Sequence, residues 1–117
     1  DVLVKHASPL APITVGDAVK DTLLRGHADG IIASGNATGE PVAVEQLQHM
    51  RAAAGDAPLW IGSGLSEKNA CNLLPWCEAA IVGTSLKKDM DVRNPVDVER
   101  VRKMVTICNG LFRAPRV

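Results

Sequence analysis

Four short apolar runs, each broken by a Gly, Ser or Thr turn and each followed by a helical pattern, constrain this chain most. The runs are Val2–Ala7, Gly30–Gly35, Pro58–Gly64 and Ala79–Ser85. They are continuous rather than alternating, as parallel strands covered on both faces require. Behind the first run, Val15, Val19 and Leu23, with Ala18 beside them, form a helical stripe that ends at Gly26. Thr14 and Asp17 open it with capping-box spacing. Val44, Leu47, Arg51 and Ala54 mark a second helix, stopped by Gly55. Ser66 is the expected cap of a third, with Ala70, Leu73, Leu74 and Cys77 on one face and Pro75 ending it early. Asn94 is expected to cap a fourth and Pro95 to open it, its buried face carrying Val98, Val101, Val105 and Cys108.

This alternation predicts an α/β fold with a parallel sheet: four βα units starting near 2, 30, 58 and 79 in one region, 1–117, with a basic tail over 110–117. Two architectures compete, an open parallel sheet and half of a (β/α)8 TIM barrel. The strand ends favour the barrel. "HASP", "ASGNATG", "IGSG" and "VGTS" put a polar turn after every strand. In a barrel these loops share one face, and a phosphate commonly sits between the loops after strands seven and eight. If the units are the last four of eight, Gly62-Ser63-Gly64 and Gly83-Thr84-Ser85 take those two places.

A whole barrel needs about 250 residues. A chain of 117 residues that lacks an initiator Met therefore reads as the C-terminal half, a fragment or processed piece. Four parallel strands leave two edges and an inner face bare. Self-association, or a missing N-terminal half, is the expected cover.

Composition narrows the function. Lys+Arg 13 against Asp+Glu 13 gives no basic field, and aromatics at 3% with no Tyr give no stacking platform, so nucleic acid is not an expected partner. No apolar run approaches the roughly 20 residues of a membrane helix, and no basic-then-apolar signal opens the chain. Cys71, Cys77 and Cys108 form no CxxC pair and read as small buried hydrophobes in a reducing compartment. The expected location is the cytoplasm or an organelle interior such as the mitochondrion. His27 and His49 have no ligand partner at metal spacing, so no metal is assigned. No cofactor is assigned either. Glu67 stands where a dinucleotide fingerprint needs its third Gly, and no P-loop occurs.

The candidate site is assembled from the turns. Gly62, Gly64 and Gly83 let backbone N–H groups approach an oxyanion, while Ser63, Thr84 and Ser85 add hydroxyl donors. The helix start after Ser66 would add partial positive charge. Lys5 and His6 end the first run on opposite faces, and are the candidates for charge and proton transfer. Ser34, Gly35 and Thr38 belong to a polar loop, Ser34–Pro41, able to close over the mouth. Lys87, Lys88, Asp89 and Asp91 read as a solvated loop. No pair of strand-end carboxylates suits a glycosidase mechanism.

Together, "DVLVKHASPL", "ASGNATGEP", "IGSG" and "IVGTSLKKD…NPVDVERV" resemble the C-terminal half of the BtpA/SgcQ family, over Asp1 to Cys108. The resemblance implies a TIM barrel of the ribulose-phosphate-binding type. It carries the family's motifs onto Lys5 and His6; Ser34, Gly35, Thr38 and Gly39; Gly62 to Gly64; Gly83 to Ser85; and Lys87, Asn94, Pro95 and Asp97. Met90 departs from it, standing where relatives usually have Gly. The implied ligand is a phosphorylated sugar or nucleoside-like molecule, and the implied activity that of a hydrolase or nucleosidase. The association of the family's cyanobacterial namesake with photosystem I biogenesis implies an alternative, a non-enzymatic assembly or stability factor. An inactive barrel fragment is a third reading.

Overall fold

The computed structural model describes residues 1–4, 6–35 and 40–114. Lys5 and Thr38, two of the candidate residues, lie outside that set. Helix α1 (Val15–Lys20) is capped as the spacing predicts, the Thr14 hydroxyl accepting from the Asp17 N–H and donating to its carboxylate. The helix widens into a π turn over Asp21–Arg25, where the Thr22 hydroxyl donates back to the Ala18 carbonyl. β1 (Ile31–Ala33), α2 (Val44–Ala54), β2 (Leu59–Ile61), α3 (Ala70–Leu73), β3 (Ala79–Ala80) and α4 (Val98–Cys108) follow. Gly55 ends α2 at φ 59, a left-handed position that favours glycine.

The three strands form an open parallel sheet in the order β1-β2-β3, with Ile31 opposite Leu59 and Trp60 opposite Ala79. Four βα units were the expectation, and three strands form among the described residues. Among the described residues of the first run only Val2 joins, through one parallel rung to Ala33, because Leu3 turns the chain away at φ 53.

The order has a consequence for the layers. Parallel crossovers are right-handed almost without exception, so strands added in one direction send their helices to one face. Burial agrees with that. Ile31, Ala33, Leu59 and Ile61 are buried against Leu47 and Met50 of α2, Val19 of α1 and Leu73 and Leu74. Each such side chain removed from water is worth roughly 1.5–3 kcal/mol. On the opposite face Trp60 is 43% and Ile81 51% exposed.

Two helix starts differ from expectation. Ser66 does not cap α3. Its own N–H donates to the Asn69 side chain, which in turn donates to the Gly64 carbonyl, and Asn69 is the cap residue. α3 has only four residues before a 3-10 turn at Leu74–Trp76, where Pro75 stops it. α4 begins at Val98, three residues beyond the expected position. An antiparallel rung between Lys87 and Val96, with Asp97 N–H donating to the Leu86 carbonyl at 2.8 Å, keeps this stretch extended. The Asp97 carboxylate then caps α4 by accepting from the N–H groups of Glu99 and Arg100. Asn94 instead donates to the Lys88 carbonyl.

The apolar arc of α4 is broad and only partly used. Met104 is buried, with Ile107 and Cys108 packed beside it, whereas Val98 and Val105 are exposed. Of the cysteines, Cys77 is buried and Cys108 half-buried, but Cys71 is exposed.

At the N-terminal end of the sheet an ion-pair network closes the fold. Arg51 donates to the carbonyls of Trp76, Gly55 and Ala57 and pairs with Glu78 at 2.7 Å. Glu78 also accepts from the Leu59 N–H and from Arg113, tying the C-terminal segment to β2.

Candidate functional site

The turns after β2 and β3 meet. Strand pairing sets their level: Gly62 N–H donates to the Ala33 carbonyl at 2.7 Å and Ile81 N–H to Ile61 at 2.8 Å. Both turns therefore leave the sheet at the same end. Gly62, Ser63, Gly64, Gly83, Thr84 and Ser85 line one cleft of about 450 Å³, with Pro41, Leu65, Asn69, Ile81 and Met90 among its other walls. That volume lies in the small-molecule range.

The glycines divide by what they do. Gly64 sits at φ 78, and a Cβ there would lie 2.3 Å from the Glu40 carbonyl oxygen, so packing alone demands glycine. A Cβ at Gly62 would press on Ile32 at 2.7 Å. Gly83 differs, because a Cβ there would meet nothing within 4 Å. Its absence of side chain leaves backbone open to the cleft rather than to a neighbour.

The hydroxyls divide too. Ser85 is buried and donates to the Leu65 carbonyl at 2.7 Å, so its proton is engaged. Ser63 Oγ is buried and has no hydrogen-bond partner among the described residues. Leaving such a group unpaired costs about 1–3 kcal/mol. The expected contribution from a helix start after Ser66 is not found. That N–H is taken by Asn69, and a four-residue helix offers little aligned dipole.

Other expected residues stand apart from the cleft. Ser34 is buried, its hydroxyl 3.0 and 3.2 Å from the two Asp1 carboxylate oxygens. Gly35 lies with its Cα so near the Glu40 carbonyl that a Cβ would approach to 2.2 Å. His6 is exposed, in a turn where Ala7 N–H donates to Val4. Lys87 is held through its backbone to Thr84 and Val96. Cys77 is no nucleophile at neutral pH, since burial, helped by the Glu78 charge, pushes its thiol up to about 12. Among the described residues no group of three His, Cys, Asp or Glu is placed to hold a metal.

Sequence reasoning passed over four contributors: Asn69, which braces the turn, and Lys68, Arg100 and Lys103 at the rim. It did single out Met90. Asp89 and Met90 adopt φ 55 and 56, left-handed conformations that cost a non-glycine residue roughly 1 kcal/mol or more. That is the physical reason a glycine suits this position, and Met90 puts a thioether side chain on the cleft wall instead.

The arrangement defines a class of protein, α/β with an open parallel sheet whose successive strand ends deliver Gly/Ser turns to one cleft. The chain belongs to the BtpA family, whose model matches residues 1–110. It is 42% identical over 98% of its length to the photosystem I biogenesis protein BtpA of Synechocystis sp., covering 40% of that protein. An uncharacterised protein of Pyrococcus furiosus is 40% identical over 96% of the chain, which covers 42% of it. A Caenorhabditis elegans relative described as uncharacterised and mitochondrial is 30% identical over 97% of the chain, covering 40% of that protein. The chain thus spans about two fifths of the length of these relatives. No solved structure matches it.

Proposed function

We propose that this region is the C-terminal half of a barrel that binds a phosphorylated sugar or nucleoside-like ligand between the turns after β2 and β3. The observation that carries the reading is the convergence of both turns on one cleft containing the unpartnered Ser63 hydroxyl. Ser63 and Thr84 act as donors to the phosphate, and the open backbone at Gly83 lets it approach closely. Helices on one face only, with strand order unbroken by a switch point, support a barrel over a doubly wound sheet. Ser34, Gly35 and Lys87 stand apart from the cleft and in this reading hold the segments around it. Lys5 and His6 supply charge and proton transfer for a hydrolase- or nucleosidase-like step. The protein works in the cytoplasm or an organelle interior.

That the Synechocystis relative is a photosystem I biogenesis protein supports a second reading, a non-enzymatic assembly or stability factor. Thermal melts with and without inorganic phosphate and ribose 5-phosphate separate the two. A ligand at a hundred times its Kd stabilises the folded state by about 2.7 kcal/mol, a visible rise in Tm. The enzyme reading expects that rise and saturable turnover. A cooperative melt indifferent to both ligands would reduce the turns to connections and leave the assembly role.

A further inference from the structure

The cleft between the turns has two kinds of wall. One is polar, made of the Ser63 and Thr84 hydroxyls and the open backbone of Gly83. The other is apolar, made among the described residues of Pro41 ahead of α2, Leu65, Ile81 just beyond β3, and Met90. The remaining polar side chains are largely engaged. Ser85 donates to the Leu65 carbonyl, and the Asn69 amide is used at both ends, accepting from the Ser66 N–H and donating to the Gly64 carbonyl. That leaves Ser66 and Lys68, which also line a second, adjoining cleft of about 370 Å³. The second cleft sets Glu67, Asp97 and Glu99 against Lys68, Arg100 and Lys103, a balance that favours neither sign of ligand.

Met90 is the hardest of the apolar group to place. It is 47% exposed, and with Asp89 it takes a left-handed backbone. Hydrogen bonds pin the turn in that shape: Met90 N–H donates to the Lys87 carbonyl at 3.0 Å, the Asn94 side chain to that of Lys88 at 2.9 Å, and Lys88 N–H to that of Pro95 at 3.0 Å. Strained positions of this kind gather at ligand clamps. A thioether is also a soft, adaptable surface that attracts aromatic rings.

We propose that the ligand is a phosphate ester carrying a flat ring, of the nucleoside monophosphate class, and that Met90, with Ile81 and Pro41, seats the ring. The inference rests on the phosphate reading above and narrows it from two kinds of ligand to one. The phosphate takes Ser63 and Thr84. A body made only of hydroxyls would give up hydrogen bonds to water against walls that return few of them. A ring face gives up none and gains apolar contact.

The test is calorimetric titration of the protein with ribose 5-phosphate and with adenosine monophosphate, the same sugar phosphate with adenine in place of one hydroxyl. Both carry one phosphate monoester, so charge does not separate them. Adenosine monophosphate should bind at least about tenfold tighter, as burial of one ring predicts. Met90→Gly should lose roughly fivefold for adenosine monophosphate and leave ribose 5-phosphate unchanged. Because glycine accepts the left-handed backbone, that variant should melt no lower than the unaltered protein, which separates the loss from folding. Val105→Ala, at an exposed apolar residue that lines neither cleft, should change neither affinity. Equal affinity for the two ligands would overturn the ring seat while leaving the phosphate reading in place. An adenosine monophosphate affinity that survives Met90→Gly, or falls equally in Val105→Ala, would overturn it too, since the ring then lies elsewhere. So would a loss of both ligands alike in Met90→Gly, which points to the shape of the turn and not to the side chain. Saturable binding of neither would bring down the phosphate reading and this inference together.

Discussion

Arg51 stands where the spacing of Val44, Leu47 and Ala54 asks for an apolar side chain, and it is buried there. A charge in an apolar stripe requires a partner, so the stripe by itself signals a buried acid; nothing in the sequence says that the acid is Glu78, 27 positions away. Replacing Glu78 with Gln leaves a buried guanidinium uncompensated, a loss of about 3–5 kcal/mol. Burial alone would raise the Glu78 carboxyl, but hydrogen bonds from Leu59 N–H and Arg113 and the Arg51 charge hold it below its ordinary value of 4.5. The folded state therefore binds that proton less readily than the unfolded chain. The stabilisation is full above the ordinary value and is lost as pH falls through the folded one. Denaturant titrations from about pH 7 to pH 3 check both points: Glu78→Gln should be less stable at neutral pH and should lose less on acidification. An equal acid loss in the variant would place the sensitivity elsewhere.

At the scale of elements, the most testable boundary is the start of α4. If Asp97 is the cap, Asp97→Ala should cost about 1 kcal/mol, and Asn94→Ala less, since Asn94 bonds only a loop carbonyl. Paired urea titrations decide it; a larger loss at Asn94 would contradict the cap. Element order is legible from the sequence because Gly26, Gly55 and Pro75 punctuate the helices and the apolar runs are unbroken between them. Bounds are less legible where tertiary contacts overrule local signals. Asn94-Pro95 is a sound helix start in isolation, but the rung from Lys87 to Val96 holds those residues extended. Val2–Ala7 has the composition of a strand, yet a single rung forms among its described residues. The same limit applies to the site. The two Gly/Ser turns are visible in the sequence, whereas the cations of α4 come beside them only through the packing of α4 near α3 and the turn after β3.

As a whole molecule the chain has an accessible surface of 7400 Å². A compact monomer of its 12.4 kDa mass would expose roughly 6,100 Å². Much of what remains uncovered is apolar: Trp60 and Ile81 on the bare side of the sheet, Val98 and Val105 on α4. Apolar surface of this kind, beside two open strand edges, favours association. The 117-residue chain is therefore expected to sediment above its monomer mass at high concentration. Trp60→Lys should shift it towards the monomer while keeping a cooperative melt. A monomer in both, at the highest concentration reached, would mean that this face stays wet.

The ion-pair network and the cleft between the Gly/Ser turns occupy opposite ends of the same short strands. Arg51 and Glu78 are bound to backbone groups of Leu59, Gly55, Ala57 and Trp76, so almost any replacement there disturbs foldedness. Lys68, Met90 and Lys103 are exposed on the rim of the clefts and can be exchanged with little effect on the core. A lineage built on this frame can therefore drift through ligand preferences at one end while selection holds the other still, and relatives that share the fold need not share a substrate.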